Sequence, residues 1–229
     1  VATKDFAHLH VHTEYSMLDG AARLGDLFTH AKELGMKSMA TSDHGFLFGA
    51  FDFWRQAKAH DIKPIIGVEA YLTPGTHRTD RSRVRWGDGS RDDVSGGGAY
   101  THMTMWAETT EGMHNLFRAS SIASLEGQLY KPRMDREVLQ TYSKGLIATT
   151  GCPSGEIQTR LRLGQFDEAI QAASDFRDIF GKDNFYCEVM DHGLDIERNV
   201  QEDLHRLAKQ LNLPYVATND LHYTRQEDH

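Results

Sequence analysis

Three histidines alternate along the opening segment, His8, His10 and His12, and an Asp-His-Gly tripeptide stands at Asp43-His44-Gly45. Asp19 lies in the loop between them. Further on come Glu69 inside the apolar run Ile65–Leu72, His102 in Tyr100–Glu108, Cys152 between Gly151 and Pro153, and Asp220 and His222 near the end. Each of these side-chain types is a hard or borderline ligand for a divalent ion. Imidazoles and carboxylates interleaved with one thiolate form the donor set of a hydrolytic metal centre, in which bound water becomes a nucleophile near neutral pH. Residues two apart on a strand share a face, so His10 and His12 can bind one ion together. His8 shares that face, and spacing alone leaves His8/His10 and His10/His12 both open; position nearer the strand's carboxyl end favours the second. Glu69 faces the same way as Ile65, Gly67 and Tyr71. An uncompensated carboxylate among such neighbours is costly, and an ion offsets the cost.

The elements that must position these groups alternate in period. Strands are expected at Phe6–His12, Lys37–Ser42, Ile65–Leu72, Tyr100–Glu108, Leu146–Thr149, Phe185–Met190 and Tyr215–Thr218. Between them run helices with apolar stripes: Leu24, Leu27, Phe28, Ala31 and Leu34; Phe51, Trp54 and Ala57; Met113, Leu116 and Phe117; Phe166, Ala169, Ile170, Ala173 and Phe176; and Ile196, Val200, Leu204, Leu207 and Leu211. A weaker helix is expected around Asp135–Tyr142. Seven strands separated by helices imply an α/β fold with a parallel sheet, and closure into a barrel leaves no edge. In such folds the active groups gather at the carboxyl ends of the strands, where six strand ends here converge on His, Asp, Glu and Cys. One long loop, Thr73–Ala99, breaks the rhythm. It carries Arg78, Arg81, Arg83, Arg85 and Arg91 among Gly and Asp, either as phosphate contacts or as a solvated flap. Arg160 and Arg162 read as surface charges, and His30, His60, His114 and His205 on the helices as surface or core-lining residues. Asp191-His192 reads either as a loop cap or as support for the ligands.

Composition narrows the class. The chain has 229 residues, 39% hydrophobic and 25% charged, enough for a sizeable core. No apolar run is long enough to span a bilayer, and Val1–Asp5 lacks the apolar core of a signal peptide. The two cysteines, Cys152 and Cys187, form neither a CxxC site nor a disulfide framework, which suits a reducing cytoplasm. Lys and Arg number 25 against 33 Asp and Glu, a net charge of −8, so this is not a basic, electrostatically driven DNA-binding module. Part of that negative charge lies on Asp19, Glu69 and Asp220, and bound cations would turn it locally positive. The chain reads as a single domain over residues 1–229, the N-terminal piece of a longer protein.

The segments HLHVHTEYSMLDGA, TSDHGFLFGA, IKPIIGVEAYL, YTHMTM, TTGCPSGE and ATNDLHY resemble the PHP (polymerase and histidinol phosphatase) domain found at the N-terminus of bacterial replicative DNA polymerase III alpha subunits. The resemblance covers essentially the whole chain. It implies a distorted seven-stranded (βα)7 barrel with a metal site at the carboxyl ends of the strands. It also implies nine ligands, His10, His12, Asp19, His44, Glu69, His102, Cys152, Asp220 and His222, all present here, with His8 outside the set. Three divalent ions follow: the first on His10, His12, Glu69 and Asp220, the second on Glu69, His102 and Cys152, the third on Asp19, His44 and His222. Zinc is the expected ion, with manganese or iron as alternatives. The implied activity is a 3′-5′ exonuclease acting on the DNA primer end, with the other domains of the polymerase chain and other replisome subunits as partners. The competing readings are a metal-stabilised structural module of the polymerase and a phosphatase for small monoesters.

Overall fold

A computed structural model of the chain describes residues 6–90 and 93–228. Its elements run α1 (Leu24–Glu33), β1 (Ser38–Thr41), α2 (Ala50–Ala59), β2 (Lys63–Leu72), the single turn α3 (Ser95–Gly98), β3 (Thr101–Ala107), α4 (Thr110–Glu126), β4 (Gln128–Leu129), β5 (Lys131–Met134), α5 (Arg136–Tyr142), β6 (Leu146–Thr149), α6 (Glu156–Arg162), α7 (Phe166–Phe180), β7 (Phe185–Val189), α8 (Asp195–Leu211) and β8 (Tyr215–Ala217).

The sheet curls into a distorted barrel. β1 pairs with β2, β2 with β3, β3 with β6, β6 with β7 and β7 with β8. The extended segment around His8–His12 closes the ring. Ala40 N–H donates to the His8 carbonyl and Ser42 N–H to the Val11 carbonyl; on the other side, His12 N–H donates to the Leu221 carbonyl and Leu221 N–H to the His10 carbonyl. The expected strand Phe6–His12 is an extended segment with isolated bridges rather than a regular ladder.

The expected all-parallel order is corrected at one strand. β3 runs antiparallel to both β2 and β6. A parallel return is usually made through a helical crossover, and the described residues between Leu72 and Thr101 hold no helix longer than the turn α3. The chain therefore comes back beside the strand it left, Leu72 opposite Thr101. One consequence matters for the site. His102 sits at the amino end of an antiparallel strand, which is the same rim as the carboxyl ends of the parallel strands. The β4–β5 hairpin and α6 are further elements that periodicity did not reveal.

The helices pack outside the ring in two apolar clusters. One joins β2, β3, β6 and β7 to α4–α8 around Leu116, Phe176, Phe185 and Leu204. The other joins α1, α2 and β1 around Phe28, Met39 and Phe53. On α2 the buried positions are Phe53 and Ala57, while Phe51 and Trp54, expected on the inner face, are exposed and stack on each other. On α4, Leu116 is buried and Phe117 is exposed.

The Thr73–Ala99 segment is tied down by Arg133, which is only 1% exposed. Its guanidinium donates to four carbonyls, those of Gly127, Ala99, Arg78 and Asp80. Arg133→Met keeps most of the side-chain volume and leaves those acceptors without their donor. We expect a loss of about 2 kcal/mol in unfolding free energy, read by urea denaturation, with faster proteolysis near Arg78–Asp80. An unchanged midpoint would mean that water takes over the four carbonyls.

Candidate metal centre

The ring delivers its polar side chains to one rim. The His8–His12 segment contributes His10 and His12, both fully buried. The end of β1 leads to Asp43-His44, β2 supplies Glu69, β3 supplies His102, the loop after β6 supplies Cys152, and the segment after β8 supplies Asp220 and His222. Gly45 follows His44 at φ +69°, and a Cβ there would run into the Tyr71 ring, so the turn that presents His44 has no room for a side chain. Asp220 also takes a left-handed backbone, φ +42°, uncommon outside glycine but accessible to Asp. The two bonds from Leu221 to the His10–His12 segment hold it there.

Glu69, 1% exposed, is the hub. Its carboxylate oxygens lie 2.8 Å from His44 Nδ1, 3.1 Å from His102 Nδ1, 3.4 Å from His12 Nε2 and 3.6 Å from His10 Nε2. The Cys152 thiol donates to it at 3.2 Å. Asp220 Oδ1 is 3.3 Å from His10 Nε2 and 3.2 Å from His12 Nε2. Asp19 reaches His44 Nε2 at 3.2 Å, and the His222 ring stacks on His12 at 4.3 Å. All nine side chains singled out in the sequence therefore meet in one cluster.

Three sets of donor atoms lie within ion-binding range of one another: His10, His12 and Asp220; His44, Glu69 and His102; His12, His44 and His222. Asp19 and Cys152 border these sets without belonging to one. A fourth set, His77, Asp135 and Glu137, lies elsewhere; Arg78 occupies it through bonds to Asp135 and Glu137, so it is a salt-bridge cluster.

The electrostatics suit cations. Burial pushes the Glu69 carboxyl up, but the imidazoles of His102, His10 and His44 outweigh burial and hold it well below the usual carboxylate range. Asp220 behaves likewise: burial raises it, and His10 and His12 bring it down to about 2. In the ion-free protein, burial, Glu69 and Asp220 push the Cys152 thiol up. Four buried ligand atoms at the rim, His10 Nε2, His12 Nε2, His44 Nδ1 and Asp220 Oδ1, make no hydrogen bond. Orphaned atoms of this kind are costly unless something else binds them. Divalent cations fit this donor set.

The imidazoles are oriented from behind. His10 Nδ1 is 2.7 Å from Glu188 Oε1, and a carboxylate can only accept, so Nδ1 carries the proton and Nε2 faces the rim. Ser16 donates its hydroxyl to Asp43 at 2.8 Å and thus accepts from His12 Nδ1 at 3.0 Å. His222 Nδ1 donates to the Asp220 carbonyl at 2.7 Å. Partners of this kind fix the tautomer and ring direction of metal-binding histidines. Asp43 itself faces away from the rim, accepting from Thr13 N–H, Thr13 Oγ1, Ser16 and Thr41.

Glu188 is the functional residue that sequence reasoning missed. It is fully buried and also accepts from Thr149 and Thr218. The signal was available: like Glu69, it is a carboxylate inside an otherwise apolar strand, Phe185–Val189. His8 lies beside the rim, its Nδ1 buried without a hydrogen bond and its ring against Phe6. His192 holds Glu197 and the Asn219 carbonyl, steadying the segment that carries Asp220. Cys187 is buried away from the rim, and burial pushes its thiol up to about 12.

The arginines of Thr73–Ala99 are mostly engaged. Arg78 binds Glu126, Asp135 and Glu137, Arg83 reaches Tyr130, and Arg85 donates to the Gly89 and Asp88 carbonyls. Arg91, like the opening residues Val1–Asp5, lies outside the described residues. Arg160 and Arg162, expected as plain surface charges, are packed: Arg160 lies 3.7 Å over the Trp86 ring and Arg162 donates to the Asp93 carbonyl.

Comparison with known proteins places this geometry. The chain is 60% identical over 227 residues to the DNA polymerase III subunit alpha of Saccharopolyspora erythraea, covering 95% of this chain and 19% of that protein. It is 54% identical over 229 residues to the subunit of the same name from Mycobacterium tuberculosis, covering 99% of this chain and 19% of that protein. The chain thus spans about a fifth of the length of these relatives. A solved structure from Bifidobacterium adolescentis, described as a candidate metal-dependent phosphoesterase, superposes with a TM-score of 0.52 at 15% identity, covering 95% of this chain and 88% of the other. That likeness concerns the fold. The family model for the PHP domain matches residues 8–192, more than half of the chain. The chain belongs to the PHP domain family.

Proposed function

We propose that the rim is a trinuclear metal centre that hydrolyses phosphodiester bonds at a DNA 3′ end. The observation that carries this reading is the convergence of the orphaned His10 Nε2 and His12 Nε2 on two carboxylates at once, the buried Glu69 and the orphaned Oδ1 of Asp220. The ligands are His10, His12, Asp19, His44, Glu69, His102, Cys152, Asp220 and His222, with zinc the favoured ion and manganese or iron as alternatives. Bound divalent ions supply an activated water and polarise the phosphoryl oxygens. Glu69, central to four imidazoles and the thiol, would be among the residues that hold the ions. Glu188 and Ser16 keep His10 and His12 in the tautomer that turns Nε2 to the rim. In the reaction the water oxygen bonds to phosphorus, the bond from phosphorus to the 3′ oxygen breaks, and that oxygen leaves with a proton. A nucleoside 5′-monophosphate is released and the strand keeps a 3′ hydroxyl.

The relatives named as polymerase subunits support DNA as the substrate, and the other domains of one polymerase chain and further replisome subunits as partners. The same likeness supports a cytoplasmic, nucleoid-associated place; among the described residues no helix is long and apolar enough to cross a membrane.

The test is a 3′-mismatched primer-template incubated with protein loaded with zinc or manganese, beside Asp220→Asn and beside protein treated with a chelator. The expected result is stepwise shortening from the 3′ end by the loaded wild type alone. Equal survival of the primer in all three samples would overturn the nuclease reading. Hydrolysis of a chromogenic monoester with the primer left intact would transfer the assignment to a small-molecule phosphatase.

A further inference from the structure

Beside the metal rim lies a cleft of about 330 Å³ that the proposed chemistry does not use. Asp19, His44 and His102 line it beside Ser16 and Lys131, and the other lining residues are aromatic or apolar. Phe46 and Phe48 lie nearly parallel, their centroids 4.5 Å apart at 12°, and Phe48 is 74% exposed. The loop after His12 holds out Met17 and Leu18, 87% and 88% exposed. Tyr71 and Tyr100 meet edge to face, with the His44 ring stacked on Tyr71 and the His102 ring on Tyr100. Lys131 Nζ stands 5.2 Å from the centroid of the Tyr71 ring. So many large exposed apolar groups in one place mark a binding surface, and this one is continuous with the metal ligands.

We propose that this cleft receives one unstacked nucleobase, that of the 3′-terminal nucleotide, with the Phe46–Phe48 pair as its stacking surface and Lys131 as the positive charge for an adjoining phosphate. The inference rests on the reading of the rim as a phosphodiesterase for DNA. Every base has a π face, so stacking on an aromatic pair accepts a 3′ end of any sequence. A base enters only after leaving the duplex, and unpairing costs least at a mismatch. The cleft therefore turns fraying of the end into selectivity for mispaired termini. With cations on the edge of metal ligands and Lys131 beside the Tyr71 ring, the cleft suits a nucleotide, which brings both a flat ring and an anionic phosphate, better than an uncharged apolar peptide.

The experiment is a four-way comparison by fluorescence anisotropy, using metal-loaded protein and a 5′-fluorescein single strand whose last linkage is a phosphorothioate to slow turnover. The strand ends either in thymidine or in an abasic tetrahydrofuran, and the protein is wild type or Phe48→Ala. Exposure of Phe48 keeps it out of the core, and a thermal melt by circular dichroism checks that the variant is folded. Wild type is expected to bind the thymidine end about tenfold more tightly than the abasic end, and Phe48→Ala to bring that ratio below twofold. A wild-type ratio near one, or a ratio that survives Phe48→Ala, overturns the proposal. Because the readout is binding, a retained ratio without cleavage of an ordinary primer removes the nuclease reading and leaves the base-binding cleft standing. Cleavage without the ratio removes the cleft proposal alone.

Discussion

Glu69→Gln is expected to lower hydrolysis by the metal-loaded protein at least about 1000-fold, equivalent to about 4 kcal/mol of transition-state stabilisation. The Glu69 carboxylate reaches both the His10/His12 side and the His44/His102/Cys152 side of the cluster. An amide keeps the shape but offers a single acceptor oxygen and no charge, and cannot be shared between cations. Metal content should fall together with activity, measured by elemental analysis on the same sample. The folded state should survive, because the apolar shell around β2, including Val68, Ala70 and Leu72, is unchanged. Full activity in Glu69→Gln would remove the residue from the centre.

The second large effect is expected behind the rim. Glu188→Gln should weaken metal binding about 100-fold, or about 2.7 kcal/mol. His10 Nδ1, Thr149 Oγ1 and Thr218 Oγ1 all direct protons at this carboxylate. A glutamine amide would set its own N–H groups against at least one of them, and the His10 ring would turn or change tautomer. Competition with a chromophoric chelator reads the affinity. Glu188 acts through His10 rather than on an ion directly, so Glu188→Asp, which restores the charge at a shorter reach, should recover part of the loss. A change below twofold in Glu188→Gln would show that His10 is held by packing alone.

How far the sequence revealed this arrangement depends on what each residue's neighbours betray. Glu69 stood out because it interrupts the apolar run Ile65–Leu72, and the same contrast existed for Glu188 in Phe185–Val189 but was passed over. Period alone located β2, β6, β7 and α8 well, since each buries a clear apolar face. It could not show that β3 runs antiparallel, because strand direction is decided by the connection, and the Thr73–Ala99 segment gave no periodic signal of its own. It also misplaced the inner face of α2, where Phe51 and Trp54 promised burial that the structure gives to Phe53 and Ala57. Those exposed aromatics, like Phe48 and Phe117, are the positions at which hydrophobicity ceased to be a guide to the core. The arginines of the long loop left phosphate contacts and a solvated flap both open, because the partners of Arg78 (Glu126 on α4, Asp135 just before α5 and Glu137 on α5) are too distant in the chain for spacing to reveal.

The negative net charge also takes on a different meaning. Glu69, Asp19 and Asp220 lie together at the rim, where bound cations would neutralise them and leave the mouth attractive to a phosphate backbone. Lys131 adds a positive group at the edge of the adjoining cleft.

The most direct measurement is the metal content of the purified chain after zinc loading and removal of free ions, read by elemental analysis against protein concentration. We expect about three ions per chain, falling in Glu69→Gln and in Asp220→Asn. One ion or none per chain in the wild type would contradict the trinuclear centre.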